Sequence, residues 1–85
     1  MSVVPNEWLS EKVTVSKAEA DNLIDGRTFG YQHLKWERLK SKMLPGDELW
    51  EFCSPENTWI HLMGRQGYAV VRAGQVVDCF ITSMS

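Results

Sequence analysis

The sequence has no long apolar run, few cysteines and almost no net charge, and each shortage closes off a class of protein. Its longest apolar stretch is a few residues, against the roughly 20 that span a bilayer as a helix. Met1-Ser-Val-Val-Pro5 lacks the basic and apolar regions of a secretory leader. A cytoplasmic location without membrane attachment is therefore expected. Cysteine occurs only at Cys53 and Cys79, with no CxxC spacing. Two such thiols make no zinc site by themselves, and no metal or other cofactor is expected. Both fall in segments read below as strands, where a thiol acts as a small apolar side chain, so buried structural thiols are expected. The net charge of −2 and pI of about 5.6 disfavour non-specific nucleic-acid binding. Also missing are HExxH, GxSxG, a Walker loop and GxGxxG, the spacings that most directly announce catalysis or nucleotide binding.

What is present suits one ordered domain. Eighty-five residues, 44% of them hydrophobic, read as a single unit over 1–85, with no internal repeat, low-complexity tract or linker. A chain of this size buries roughly 60% of its unfolded surface, so its stability is modest. Residues 2–10 carry a proline and few pattern signals, and residues 1–10 are expected to be partly mobile.

Val13 and Val15 alternate in a short strand over 12–15. Ser16 and Glu19 then match a capping box, opening a short helix over 17–24 that Asp25-Gly26 ends. Residues 31–44 are rich in Leu, Lys, Glu and Arg, good helix formers, and Gln32, Trp36, Leu39 and Met43 share one stripe. Pro45-Gly46 stops this main helix. Residues 47–53, dense in Leu, Trp and Phe, read as the first strong strand. Ser54-Pro55-Glu56 reads as a helix start with Ser54 as the N-cap. The spacing of Trp59, Leu62 and Met63 favours a short helix over a strand, with Gly64 at its C-terminal stop. Residues 68–72 and 75–82 form a hairpin. A two-residue type I′ turn would force Ala73 to positive φ, so a three-residue turn with a G1 bulge at Gly74 is expected.

The fold class is therefore α+β: a three- to four-stranded antiparallel sheet with two or three helices, the main helix packed on it. In the last strand Val77, Cys79 and Ile81 form one apolar face, the best candidate for the core. The opposite face carries Val76, Asp78, Phe80 and Thr82. Neither face looks plainly wet, as one face of an antiparallel sheet usually does. The N-terminal segment with Trp8 and Leu9, or a second subunit, is needed as cover. Uncovered area and free sheet edges together suggest homodimerisation.

Candidate chemistry is sparse. Gly64-Arg65-Gln66-Gly67 is a Gly-flanked turn carrying a cation, beside His61. Such a turn can cradle an anion, although a solvated arginine between two structural glycines is the simpler reading. His61 and His33 have no partner at a telling spacing and read as structural histidines. The basic run over 35–42 is read first as a solvated helix face, with an acidic partner as the functional alternative. Asp47, Glu48 and Glu51 could neutralise it within the fold. Trp36 and Trp50 fit core positions. Trp8 and Trp59, with Phe80, are candidates for a protein interface.

The stretch Pro45-Gly-Asp-Glu-Leu-Trp-Glu-Phe52, followed by Ser54-Pro55, Trp59, Gly64-Arg65 and Gly67-Tyr-Ala-Val-Val-Arg-Ala-Gly-Gln-Val-Val77, resembles a group of small uncharacterised bacterial proteins. The resemblance covers about half the chain, from Met43 onward, and implies no activity or catalytic residue. The leading expectation is a small bacterial accessory module acting through a protein interface. The competing one is a binder of a small anionic ligand, or a minor enzyme, using Arg65, His61, Gly64 and Gly67. A nucleic-acid binder using the basic helix is third.

Overall fold

The computed structural model describes residues 4–84, which assemble around a four-stranded antiparallel sheet. The sheet has the order β1 (Leu9–Val13), β4 (Glu48–Cys53), β5 (Arg65–Arg72), β6 (Gln75–Met84). Between β1 and β4 lie α1 (Val15–Asp21), a small separate hairpin of β2 (Leu23–Ile24) and β3 (Arg27–Thr28), and the main helix α2 (His33–Ser41). A short α3 (Glu56–Ile60) joins β4 to β5. The α+β class with a four-stranded antiparallel sheet is as the sequence pattern indicates.

The helix-side face of the sheet is Val13, Leu49, Tyr68, Val70 and Phe80, closed by Ala18, Phe29, Trp36 and Leu39. Trp36 is wholly buried, and Phe29 sits at the centre of the aromatic group. Its ring centroid lies 4.7 Å from that of Trp36, 5.0 Å from Phe80 and 5.5 Å from Tyr68. The last two contacts are edge-to-face, the arrangement that the ring quadrupoles favour. Buried polar tips find partners. The Asn22 side-chain amide donates to the Tyr68 hydroxyl at 2.9 Å, and burial raises the Tyr68 pKa. The Trp36 Nε1–H donates to Glu19 at 2.9 Å, and the Lys40 ammonium donates to the same carboxylate. Those two donors, Lys40 first, hold the Glu19 pKa below its ordinary value.

The second face is covered by the chain itself. Val4 packs with Phe52, Ala69, Val71 and Val76, and Trp8 and Leu9 pack against that group beside Trp50, Cys79 and Ile81. The Asn6 side chain donates to Gly74 O at 2.8 Å, tying the 3₁₀ turn Asn6–Trp8 to the tip of the β5–β6 hairpin. Of the segment expected to be partly mobile, residues 1–3 lie outside the described residues.

Several local expectations are corrected. The first strand runs Leu9–Val13 rather than 12–15, because Thr14 leaves the ladder to cap α1: its hydroxyl accepts the Lys17 N–H at 3.0 Å. Ser16 is therefore inside the helix, and Glu19 is drawn to Trp36 and Lys40 instead of closing a capping box. Asp25 and Gly26, with φ of 50° and 81°, are the two central residues of a tight turn between β2 and β3, not the end of a longer helix. Residues 30–32 form a 3₁₀ turn ahead of α2, which ends at Ser41. Pro55, not Ser54, occupies the N-cap position of α3. Past α3 it is Leu62, at φ 59°, that turns left-handed.

The β5–β6 turn has two central residues after all. Arg72 pairs with Gln75, and Ala73 and Gly74 take φ of 53° and 79°. The type I′ twist matches that of the strands, and this match outweighs the strain at Ala73. One irregularity leaves Thr82 extra, where Gly67 pairs with Ile81 but Gln66 with Ser83, and the bulge nearer the turn falls where Val71 pairs with Val76 but Val70 with Asp78. Val77 is the extra residue and is 48% exposed. Past the bulge the alternation reverses. Val76 thus shares a face with Cys79 and Ile81, while Phe80 points into the main core. Cys53 is corrected too: it is exposed at the end of β4, while Cys79 is half-buried, and both thiols are free.

Candidate functional site

The turn expected to hold an anion is built to hold itself. Ser54 is buried where β4 leaves the sheet and acts as the hub. Its N–H donates to Arg65 O at 2.9 Å, and its hydroxyl accepts the Arg65 N–H at 2.8 Å and the Thr58 hydroxyl at 2.7 Å. The Trp59 indole N–H donates to Ser54 O at 3.3 Å. The Trp59 ring lies flat on Gly64, where an added Cβ would come 2.1 Å from the indole. Gly67 is equally constrained by its own sheet, since a Cβ there would meet Phe80 O at 2.0 Å. Arg65 is half-buried and turns one Nη back onto Gly64 O at 2.8 Å. His61 is exposed, and its Nδ1 lies 2.8 Å from Asn57 O within the same turn. Of the four residues proposed as ligand-binding, His61, Gly64 and Arg65 are thus engaged within residues 54–67, and Gly67 is packed against β6.

The interface candidates separate similarly. Trp8 is half-buried on the second face and Trp59 half-buried on Gly64. Phe80 is 4% exposed, inside the aromatic core. It offers no surface to a partner, because the bulge at Val77 turns it inward. His33 is anchored by Thr28, whose hydroxyl lies 2.9 Å from its Nδ1.

A different feature gathers chemistry in one place. Between α2 and β6 runs a half-open groove of about 700 Å³. One wall is the helix stripe Lys35, Arg38, Lys42, and the other is residues 78–84 of β6, with Leu39, Phe80 and Ile81 contributing apolar lining. Tyr31, 95% exposed, stands at the helix end of the groove. The helical period sorts the basic run. Lys40 falls on the other side, where it pairs with Glu19 and with Glu37 at 2.9 Å and stands 5.8 Å from the Trp36 ring centroid. Those carboxylates raise its pKa, Glu19 contributing most. On the groove side only Lys42 has a counter-charge, Asp78 at 3.7 Å. Among the described residues neither Lys35 nor Arg38 makes an ion pair.

Two of the three acids expected to neutralise this helix, Asp47 and Glu48, are committed elsewhere, and Glu51 does not line the groove. Asp47 takes the Arg72 guanidinium through two 2.8 Å bonds. Glu48 accepts from Lys12 at 3.3 Å and from the Trp50 indole at 2.9 Å.

The β6 wall is a sheet edge, since among the described residues β6 pairs only with β5. The Cys79 N–H is held by the Asp78 carboxylate at 2.8 Å, so it faces out of the sheet. The Ile81 amide, two residues on and paired with Gly67 in the same register, faces the same way. The Cys79 thiol pKa is raised, chiefly by burial, so the thiolate that would act as nucleophile or ligand is disfavoured. Among the described residues no three His, Cys, Asp or Glu side chains converge as a metal site would require. None of the described helices is long and apolar enough to cross a membrane. No family model, curated protein or solved structure matches the chain.

Proposed function

We propose that this chain is a non-catalytic protein-interaction module whose contact surface is the groove between α2 and the free edge of β6. One observation carries the proposal: uncommitted cations at Lys35 and Arg38 stand beside an unpaired strand edge over an apolar floor. A surface of this kind offers charge, backbone hydrogen bonds and apolar area together, which suits a polypeptide partner. Self-association loses part of its support, because Val4 and Trp8 already cover the second sheet face. The anionic-ligand reading of Arg65 and His61 loses its geometry, because both are engaged within their own turn. Two free thiols fit a reducing compartment, in keeping with a cytoplasmic protein.

Panning a random-peptide library tests this. Enriched peptides should bind the wild-type chain and be lost on the triple variant Lys35→Glu/Arg38→Glu/Lys42→Glu, whose sites are all exposed. If no peptide is enriched while a small metabolite raises the melting temperature of both proteins, the interaction reading fails.

A further inference from the structure

Resting on that interaction reading, we infer that the occupant of the groove is an extended acidic segment of another protein, added to β6 as a fifth strand. Within β6 (Gln75–Met84) the stretch Asp78–Ile81, between the irregularities at Val77 and Thr82, keeps a regular register that can receive one, and there the Ile81 amide faces outward. The neighbouring outward N–H, that of Cys79, is held by Asp78 at 2.8 Å, and an incoming backbone carbonyl would have to displace that side chain. Edge strands are hazards that proteins blunt with bulges or with charge on the strand itself, and β6 has bulges at Val77 and Thr82 on either side of its regular stretch. Here residues 79–84 carry no charged side chain, and the cations stand on the helix alongside.

That placement decides between partners. A second copy pairing antiparallel through β6 would place both α2 helices on the same sheet face, across the seam from each other. Lys35, Arg38 and Lys42 of the two copies would then converge, with one Asp78 from each as the acid lining the groove among the described residues. Like charges brought together this way oppose self-pairing. An acidic strand reverses the sign of the interaction. A nucleic acid would satisfy the cations too, but it has no alternating backbone to continue the ladder of β6, and it meets a chain of net charge −2.

The geometry also sets the pattern of the segment. Side chains of an added strand alternate between the sheet's two faces. Those on the helix face meet Lys35, Arg38 and Lys42 and should be acidic. Those on the other face continue the row of Cys79 and Ile81, both half-buried and apolar, and should be aliphatic. The recognition pattern is therefore alternating Glu and Val opposite Asp78–Ile81, and a peptide of roughly seven residues, a usual strand length, covers that stretch with margins.

The test uses acetyl-Glu-Val-Glu-Val-Glu-Val-Glu-amide and two N-methylated versions of it, one methylated on every odd amide and one on every even amide. In strand addition only alternate amides face the receiving edge. One version should lose binding at least tenfold and the other should keep it. The triple charge reversal should weaken the unmethylated peptide by roughly tenfold or more, from three partly exposed ion pairs, and a Lys-Val peptide of the same length should not bind. Equal tolerance of both methylated versions would overturn strand addition. Tighter binding of oligothymidylate, self-association through β6 in sedimentation, or no peptide binding at millimolar concentration would also overturn it. A display-selected peptide that binds wild type, is lost on charge reversal and ignores the methylation phase would sink this inference while leaving the interaction module standing.

Discussion

Replacing Ala73 should make the protein more stable, an unusual outcome for a surface change that removes no contact. Ala73 is the first central residue of the β5–β6 turn and holds φ at 53°. A non-glycine residue in this region loses about 1–2 kcal/mol to the approach of its Cβ to the following carbonyl. Asparagine tolerates the conformation, and Asn-Gly is the preferred pair for a type I′ turn. Glycine removes the strain outright but frees the unfolded chain, which costs about 0.4–1 kcal/mol. The expected gains are therefore about 1 kcal/mol for Ala73→Asn and about 0.5–1 kcal/mol for Ala73→Gly, with Ala73→Val losing stability instead. For a domain of this size 1 kcal/mol moves the melting temperature by about 4–8 °C. Urea titration at 25 °C with an unchanged m-value gives the free energies, and a thermal scan checks the order. A three-residue turn with a bulge at Gly74 would put Ala73 in the right-handed region and reverse the sign for Ala73→Gly. Loss of stability in both the Asn and Gly variants would therefore refute the two-residue turn.

Other consequences follow from single residues. Asp47 is held by Arg72 first and the Leu44 N–H second, and its pKa falls from 3.8 to about 2. A carboxylate depressed on folding stabilises above its unfolded pKa and loses that contribution as pH falls through the folded one. Wild type should thus lose stability relative to Asp47→Asn between about pH 4 and pH 2, and parallel urea midpoints across that window would disprove the linkage. Gly67→Ala drives a Cβ to within 2.0 Å of the Phe80 carbonyl oxygen and 3.0 Å of the Ile81 Cα. Both are backbone, so the loss should reach about 1–3 kcal/mol or more, and an unchanged melting temperature would show that the strands can part. Cys53 is exposed, whereas burial protects Cys79 and raises its pKa. Ellman's reagent should therefore react in two phases separated by roughly tenfold or more, and one uniform fast phase would contradict the burial of Cys79.

The parts of the fold legible in the sequence were those where one signal had no rival. The C-terminal strands are dense in β-branched residues, and the stripe of Trp36, Leu39 and Met43 marks the buried side of α2. Where two signals competed, the weaker one could prevail. Leu23 and Ile24 fit a helical spacing with Ala20, which masked the Asp25-Gly26 hairpin signal that the structure obeys. The Ser16–Glu19 capping pattern was real as a pattern. Glu19 instead serves Trp36 and Lys40, which lie 17 and 21 residues away and carry no local trace. The bulge at Val77 is the costliest omission. One extra residue moves Phe80 from the expected interface into the core and brings Val76 to the second face, and no periodicity within β6 announces it. The glycines around Arg65 suggested an anion cradle, because close packing against Trp59 and against Phe80 produces the same residue choice.

The candidate groove was half visible for a related reason. A run of cations at 35, 38, 40 and 42 reads as one basic helix, yet helical geometry divides it. Lys40 lies one turn beyond Trp36 and is spent on Glu19 and Glu37, where it helps pin α1 to α2 across the core. Lys35, Arg38 and Lys42 take no part in that junction. The acids that follow them in the chain are likewise spent, Asp47 on Arg72 and Glu48 on Lys12. Folding thus consumes two of the counter-charges that sequence proximity assigns to the helix, and among the described residues Asp78 is the one acid lining the groove. Unneutralised charge beside an open strand edge follows from how the domain satisfies its own ion pairs. It is this remainder, more than the number of tryptophans or the glycines of the 64–67 turn, that directs the search for a partner to the β6 edge.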